Sequence, residues 1–227
     1  MPAPSFGAML GRIGETQPPL PAAAVVLIGL IALVLVVVQE IWLLVQHLDT
    51  IAHEGAHAMV GSALGRTVRA VRFKPNGDGG TLVSGGRIPG DVAIGFVGYL
   101  GPSAFGLGAA KLIELGHSVA VLWLALVLLL ILLPVLREWF SFVPVLIIGA
   151  LIFMIARYAS VGGEDIAACG LAWFLLLSGL RAVIDHGVRA GDAGRLAGLT
   201  RIWPAAWVAL WLAGTVTALA VGGSLLV

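Results

Sequence analysis

Residues 21–64 read PAAAVVLIGLIALVLVVVQEIWLLVQHLDTIAHEGAHAMVGSAL. Pro21 to Leu44 is an apolar run dense in Val, Leu and Ile, longer than the roughly 20 residues a helix needs to cross a bilayer. It is too long, and lacks the small-residue cleavage site, for a removable leader, and is expected to persist as a first span. Thr50 to Leu64 follows, only moderately apolar, and holds His53-Glu54-Gly55-Ala56-His57. On a helix, residues four apart share one face about one turn apart. Two imidazole nitrogens so placed can converge on one zinc ion at about 2.0–2.1 Å each. Glu54, beside the first histidine, then reaches the open coordination position without being a ligand. There it can take a proton from an attacking water and pass it to a leaving amine.

The lipid setting sharpens that motif. An ionisable residue inside a span costs about 2.5–3.5 kcal/mol on an insertion scale, so three polar side chains together call for something that coordinates them. Gly55, Ala56, Ala58, Gly61 and Ala63 keep the helix slim enough for a close neighbour. The plainer alternative is a polar helix face that touches water or hydrogen-bonds within a bundle.

Working outward, the composition demands a bilayer. Of 227 residues, 59% are hydrophobic and 11% charged, against about 45–50% and about 25% in a soluble domain; the mean hydropathy is +1.04. The net charge of +1 offers nothing to a nucleic acid. One cysteine, Cys169, excludes an intrachain disulfide and a cysteine-based zinc cluster, and reads as a small packing residue.

Further spans are predicted at Val92–Leu115, Val119–Leu136, Phe142–Tyr158, Ile166–Ile184 and Pro204–Leu226. With Pro21–Leu44 these make six, and the histidine segment is a possible seventh. Residues 1–20, rich in Pro and Gly, read as a flexible tail. Residues 66–90 read as a basic β-hairpin loop, alternating around Val68, Val71 and Phe73 before Asn76-Gly77-Asp78-Gly79-Gly80. Asp185–Arg201 is polar and compatible with a helix. The expected fold is thus all-α: a polytopic membrane helix bundle of six to seven spans forming a single domain over 1–227, with a small β-hairpin after the HExxH helix.

Lys and Arg set the orientation. If Thr50–Leu64 spans, Arg12, Arg66, Arg69, Arg72, Lys74, Arg87, Arg137, Arg181, Arg189, Arg195 and Arg201 share one face, against Lys111 and Arg157. If it is re-entrant, only the N-terminus changes side. Either way the 66–90 and 185–201 segments are expected to be cytoplasmic in a multi-pass cell-membrane protein.

An intramembrane HExxH followed by a hydrophobic bundle resembles the site-2 protease family of zinc metalloproteases, and most closely its compact bacterial M50B-like branch. His53-Glu54-Gly55-Ala56-His57-Ala58 with Leu64-Gly65 is similar to the branch's HExxHA…LG pattern. Gly98-Tyr99-Leu100-Gly101-Pro102 resembles its GYLGP element. Asp192-Ala193, Leu196-Ala197, Thr200 and Pro204 resemble its late element. Two positions depart from the wider family: Ala56 stands where many members have Gly, and Phe105 where many have an Asn that positions substrate. No PDZ insert is present.

The resemblance implies a Zn2+ held by His53, His57 and an aspartate from a later segment, with Glu54 as the catalytic base. Asp192 matches the branch pattern; Asp185, His186, Asp165 and Glu164 are the alternatives. Asp192 could equally be a helix N-cap. The implied activity is hydrolysis of peptide bonds in membrane-embedded protein substrates. Rivals are a transporter or metal-handling protein, for which paired broken helices or similar halves are missing, and a non-catalytic scaffold related to the proteases.

Elsewhere, His47 and Asp49 read as a solvated helix end or as groups fixing an imidazole, and His117 as a loop residue. The tryptophans read as span or interface aromatics. The Arg66–Lys74 strand could accept a substrate strand at its edge or rest on anionic headgroups.

Overall fold

The computed structural model describes residues 6–186 and 191–227. In chain order come α1 (Phe6–Gly11) and a 3-10 turn (Arg12–Gly14), α2 (Ala22–Val37), α3 (Gln39–Ala63), β1 (Val68–Phe73) and β2 (Gly79–Val83). Then follow α4 (Ile88–Glu114), α5 (Ser118–Leu132), α6 (Trp139–Tyr158), α7 (Val161–His186), α8 (Asp192–Thr200) and α9 (Pro204–Leu226). Five of the described helices are long and apolar enough to cross a membrane (α4, α5 with the 3-10 turn after it, α6, α7 and α9), and α2 with α3 makes a sixth candidate, bent by 100°. The expected membrane helix bundle with a hairpin after the histidine helix is what the chain forms. Outward-facing residues such as Leu44, Leu130, Ile131 and Ile147 are exposed, which suits hydrocarbon rather than water.

α4 lies at the centre, against α3, α7, α8 and α9. Small residues permit the approach: a Cβ on Gly101 would lie 2.5 Å from the Cβ of Ala56, and one on Gly106 2.9 Å from the backbone nitrogen of Leu176. Ala56, the departure noted in the sequence, is therefore accommodated by a glycine across the helix pair. The main apolar core gathers Val71, Phe73, Leu122, Leu136, Val145 and Leu176, and a second joins α8 and α9 to α4 through Val183, Ala193, Leu196 and Trp211.

The strands pair antiparallel, Val71 opposite Thr81 and Phe73 opposite Gly79, with an irregularity between Val68 and Ala70. The other side of β1 is occupied too. Val71 bridges Leu136, the Arg137 N–H donates to the Val71 carbonyl at 2.9 Å, and the Phe73 N–H donates to Ser141 Oγ at 2.9 Å. The proposed substrate strand therefore finds no open edge along the middle of β1.

Three sequence expectations are corrected. The first span does not run to Leu44: α2 stops at Val37, Val38 is extended, and Gln39–Leu44 opens the 25-residue α3. The cause is distant in sequence. Arg181 of α7 donates to the carbonyls of Val36 and Val37 and to the Gln39 side chain, replacing bonds that a continuous helix would have made. Thr50–Leu64 is accordingly the second half of a longer helix. It ends in a Schellman motif: Gly65 adopts φ +71°, with Gly65 N–H bonded to the Ser62 carbonyl and Arg66 N–H to that of Gly61, which accounts for Leu64-Gly65.

Arg12 takes the face that the re-entrant alternative gives it. It pairs with Glu164 at the start of α7, and the Gln17 N–H donates to the Gly116 carbonyl at 2.8 Å. Both contacts lie at the end of the bundle away from the hairpin, with Lys111 and Arg157. Residues 6–20, expected as a tail, thus carry a short helix and these two attachments.

Candidate metal centre

α3 brings His53, Glu54 and His57 to one side, and α8 brings Asp192 onto them. His53 Nε2 and His57 Nε2 are 3.2 Å apart, and Asp192 Oδ2 stands 3.1 and 3.2 Å from them. Among the described residues these three form the group able to hold a metal ion, their ligand atoms lying within 4.8 Å of one another. The donor chemistry suits a cation. His57 donates its Nδ1–H to the Ile94 carbonyl at 2.6 Å, so a neutral ring turns an unprotonated Nε2 toward the others. Two ring nitrogens and a carboxylate oxygen face to face are mutually repulsive until a proton or a metal ion sits between them. Tetrahedral bonds of about 2.0–2.1 Å would separate ligand atoms by about 3.3 Å, close to the spacings found.

α4 forms the wall behind the ligands. A Cβ on Gly98 would lie 2.5 Å from His57 Nε2 and 2.6 Å from His53 Nε2, so only glycine lets this backbone close over both imidazoles. Pro102, four residues on, has no N–H to give the Gly98 carbonyl. Tyr99 sets its ring edge-on to His53, with centroids 4.7 Å apart. These contacts give GYLGP a physical meaning that spacing alone did not carry.

The hairpin covers the carboxylate. Glu54 is 5% exposed; Thr81 donates to its Oε2 at 2.7 Å, and Gly79 lies so close that a Cβ there would reach the Glu54 side chain at 2.8 Å. Thr50 donates to the Gly77 carbonyl at 2.7 Å, pinning the glycine turn to α3. A cavity of about 620 Å³ joins these groups, lined by His53, Glu54, His57, Asp192, Tyr99 and Asp49 among others. A second cavity, about 690 Å³ and apolar, lies against α3, α4 and α5 and contains none of the site's titratable residues.

Asp192 is the first residue of α8, with Gly191 at the N-cap and no side-chain cap bond, so it does not act as an N-cap. Burial works to raise its carboxyl, but when the metal-free imidazoles are protonated their hydrogen bonds and charge outweigh this and hold it well below the usual carboxylate range. Of the alternatives, Asp185 pairs with Arg181 at 2.9 Å, Glu164 pairs with Arg12 at the opposite end, and Asp165 is buried beside it. The His186 side chain lies outside the described residues. Asp49 is 5% exposed and lines the cavity, which corrects the solvated helix end. His47 meets the Lys74 carbonyl at 3.2 Å and packs on Phe140. Thr81, Tyr99 and the Ile94 carbonyl were not singled out from sequence; Tyr99 alone carried a signal, as part of GYLGP.

The family model described as Peptidase M50B-like matches residues 26–222. The chain belongs to this family. That bears out the resemblance to the site-2 proteases and, at the level of the family, groups the M50B-like chain with membrane metallopeptidases. Comparison with curated proteins and with solved structures returned no match. Within the family's late element, Asp192 meets the histidines, Leu196 packs against Gly95, and Thr200 bonds the Leu196 carbonyl at 2.7 Å to close α8.

Proposed function

We propose that this chain is an intramembrane zinc endopeptidase acting on membrane-embedded proteins. The carrying observation is the meeting of two histidines of α3 with Asp192 of α8 beside a buried glutamate that is not part of the ligand triangle. His53, His57 and Asp192 would hold Zn2+, which when bound supplies a Lewis acid for the scissile carbonyl and lowers the pKa of water.

The chain's own groups supply the rest. Thr81 orients the Glu54 carboxylate through the bond to Oε2, leaving it to accept the proton of the attacking water and return it to the leaving nitrogen. The Ile94 carbonyl fixes the His57 tautomer. A substrate helix must unwind before attack, because its peptide groups are shielded and already hydrogen-bonded. The polar cavity and the overlying glycine turn offer space and water at the end of the bundle that carries most of the Arg and Lys. The positive-inside rule supports a cytoplasmic position for that end, and with it for the hairpin and the 185–201 segment of a multi-pass cell-membrane protein.

The test is Glu54→Gln in liposomes with a panel of single-span substrates. Cleavage should fall by at least a thousandfold while bound zinc stays near one per chain. Cleavage unaffected by the substitution, or a purified wild type without zinc, would refute the proposal. A non-catalytic scaffold would show zinc without turnover.

A further inference from the structure

We propose that Tyr99 is a catalytic residue, its hydroxyl donating the hydrogen bond that stabilises the oxyanion on the scissile carbonyl; this rests on the peptidase reading above. The ring is clamped. It meets His53 edge-on, with centroids 4.7 Å apart, and Trp211 at 4.6 Å. Trp211 is fully buried and held by its Nε1–H to the Phe96 carbonyl at 2.8 Å. Tyr99 lines the same cavity as Glu54 and the three ligands. Asp49 lines that cavity as well.

Neutral donors beside the glycine turn are already engaged, and the cations Lys74 and Arg195, both exposed, also line the cavity. Thr81 already serves Glu54, Thr50 serves the Gly77 carbonyl, the Asn76 amide serves Asp78, and the Gln46 amide serves the Leu43 carbonyl. The Tyr99 hydroxyl makes no hydrogen bond to another described residue. It is thus a neutral donor in the wall of the cavity that holds His53, His57 and Asp192, on a ring packed against two others. A phenol remains a donor at neutral pH, and a preorganised donor in a water-poor site contributes most where charge develops.

The oxygen of water bonds to the carbonyl carbon while the C=O π pair moves onto oxygen, and Glu54 takes the water's proton. Tyr99 keeps its own proton and hydrogen-bonds the new oxyanion. On collapse the C=O bond re-forms, the C–N bond breaks, and Glu54 gives its proton to the amine. One peptide and one water become one carboxylic acid and one amine.

Tyr99→Phe removes one oxygen and keeps both ring contacts. With a cleaved single-span substrate in liposomes, kcat should fall about 100- to 1,000-fold, with KM within threefold and zinc content unchanged. A second readout needs no turnover. A phosphinic peptide, tetrahedral and anionic at the reacting atom, and the amide peptide of the same sequence are titrated against zinc-loaded protein in micelles. Tyr99→Phe should weaken the phosphinic peptide at least 30-fold and the amide less than threefold. Equal weakening of both peptides, no weakening of either, or loss of zinc would make Tyr99 a wall or a positioning residue and overturn the proposal. A wild type that cleaves, with Tyr99→Phe within threefold in kcat, sinks Tyr99 alone. A zinc-loaded wild type that cleaves nothing sinks the peptidase reading and Tyr99 with it.

Discussion

Gly98→Ala separates the fold from the site more cleanly than changing a ligand. Gly98 sits inside α4, where alanine is the better helix former by about 1 kcal/mol, so the metal-free bundle should not lose stability from backbone propensity. The new methyl, however, would stand 2.5 and 2.6 Å from the two ligand nitrogens. Ordinary contact begins near 3.4 Å, so one or both rings must retreat by about 0.9 Å, several times the roughly 0.2 Å tolerance of a metal–ligand bond. His57 is tied to Ile94 and His53 is bounded by Tyr99, so neither ring retreats freely. Changes outside the ligand set commonly cost 10- to 100-fold in affinity, and a displaced ligand should cost at least a hundredfold, about 2.8 kcal/mol. The assay is competitive chelator titration of zinc, with the thermal midpoint of the metal-free protein in detergent as the folding control. Gly55→Ala is the internal comparison: it lies within HExxH, but a Cβ there has nothing within 4 Å, so zinc affinity should stay within threefold. Wild-type affinity in Gly98→Ala, or equal losses in both variants, would refute the reasoning.

Thr81→Val, nearly isosteric, removes the hydroxyl that bonds Glu54 at 2.7 Å; a bond to a charged group is worth about 1.5–3 kcal/mol, so kcat should fall about 10- to 100-fold with zinc retained, as steady-state kinetics and metal analysis will show. Asp192→Asn should cost most of the bound zinc while Asp165→Asn costs none, read by metal content after dialysis against a weak chelator; zinc held equally by both would remove Asp192 from the ligand set. Arg66→Ala leaves Asp91 half-enclosed and unpaired, since their ion pair joins the end of α3 to the start of α4; a loss of about 3 kcal/mol is expected, measured by denaturant unfolding in mixed micelles.

What sequence could and could not reveal follows from the range of each interaction. His53, Glu54 and His57 were legible because helical periodicity alone puts them on one side. The apolar runs were legible because a bilayer imposes length and composition. The break after Val37 was not, since an apolar run gives no sign of stopping when its terminator is a guanidinium 144 residues away. Asp49 misled for a similar reason. Two residues after His47 and amid polar neighbours it has the composition of a helix end, yet the hairpin folds back over α3 and buries it. Asp192 was reachable only through family resemblance, because nothing local distinguishes a ligand from an N-cap at the first position of a short helix.

These cases share one architectural cause. α3 does not stand alone as a span but turns sharply from α2 and leans beneath the hairpin, so its polar side is covered by β2, by α8 and by the glycine face of α4. Each covering element meets a different part of the motif: Thr81 the Glu54 carboxylate, Asp192 both Nε2 atoms, and Gly98 the imidazoles from behind. A carboxylate and two histidines that lipid would expel become tolerable because Glu54 Oε2, His57 Nδ1 and the two Nε2 atoms each face a polar group. The bond from Arg181 to the carbonyls of Val36 and Val37 sustains the turn that makes this possible. It makes no contact with the ligands, yet it sets the angle at which α3 arrives beneath them. Loosening that turn should disturb base and ligands together, whereas Thr81→Val reaches only the base.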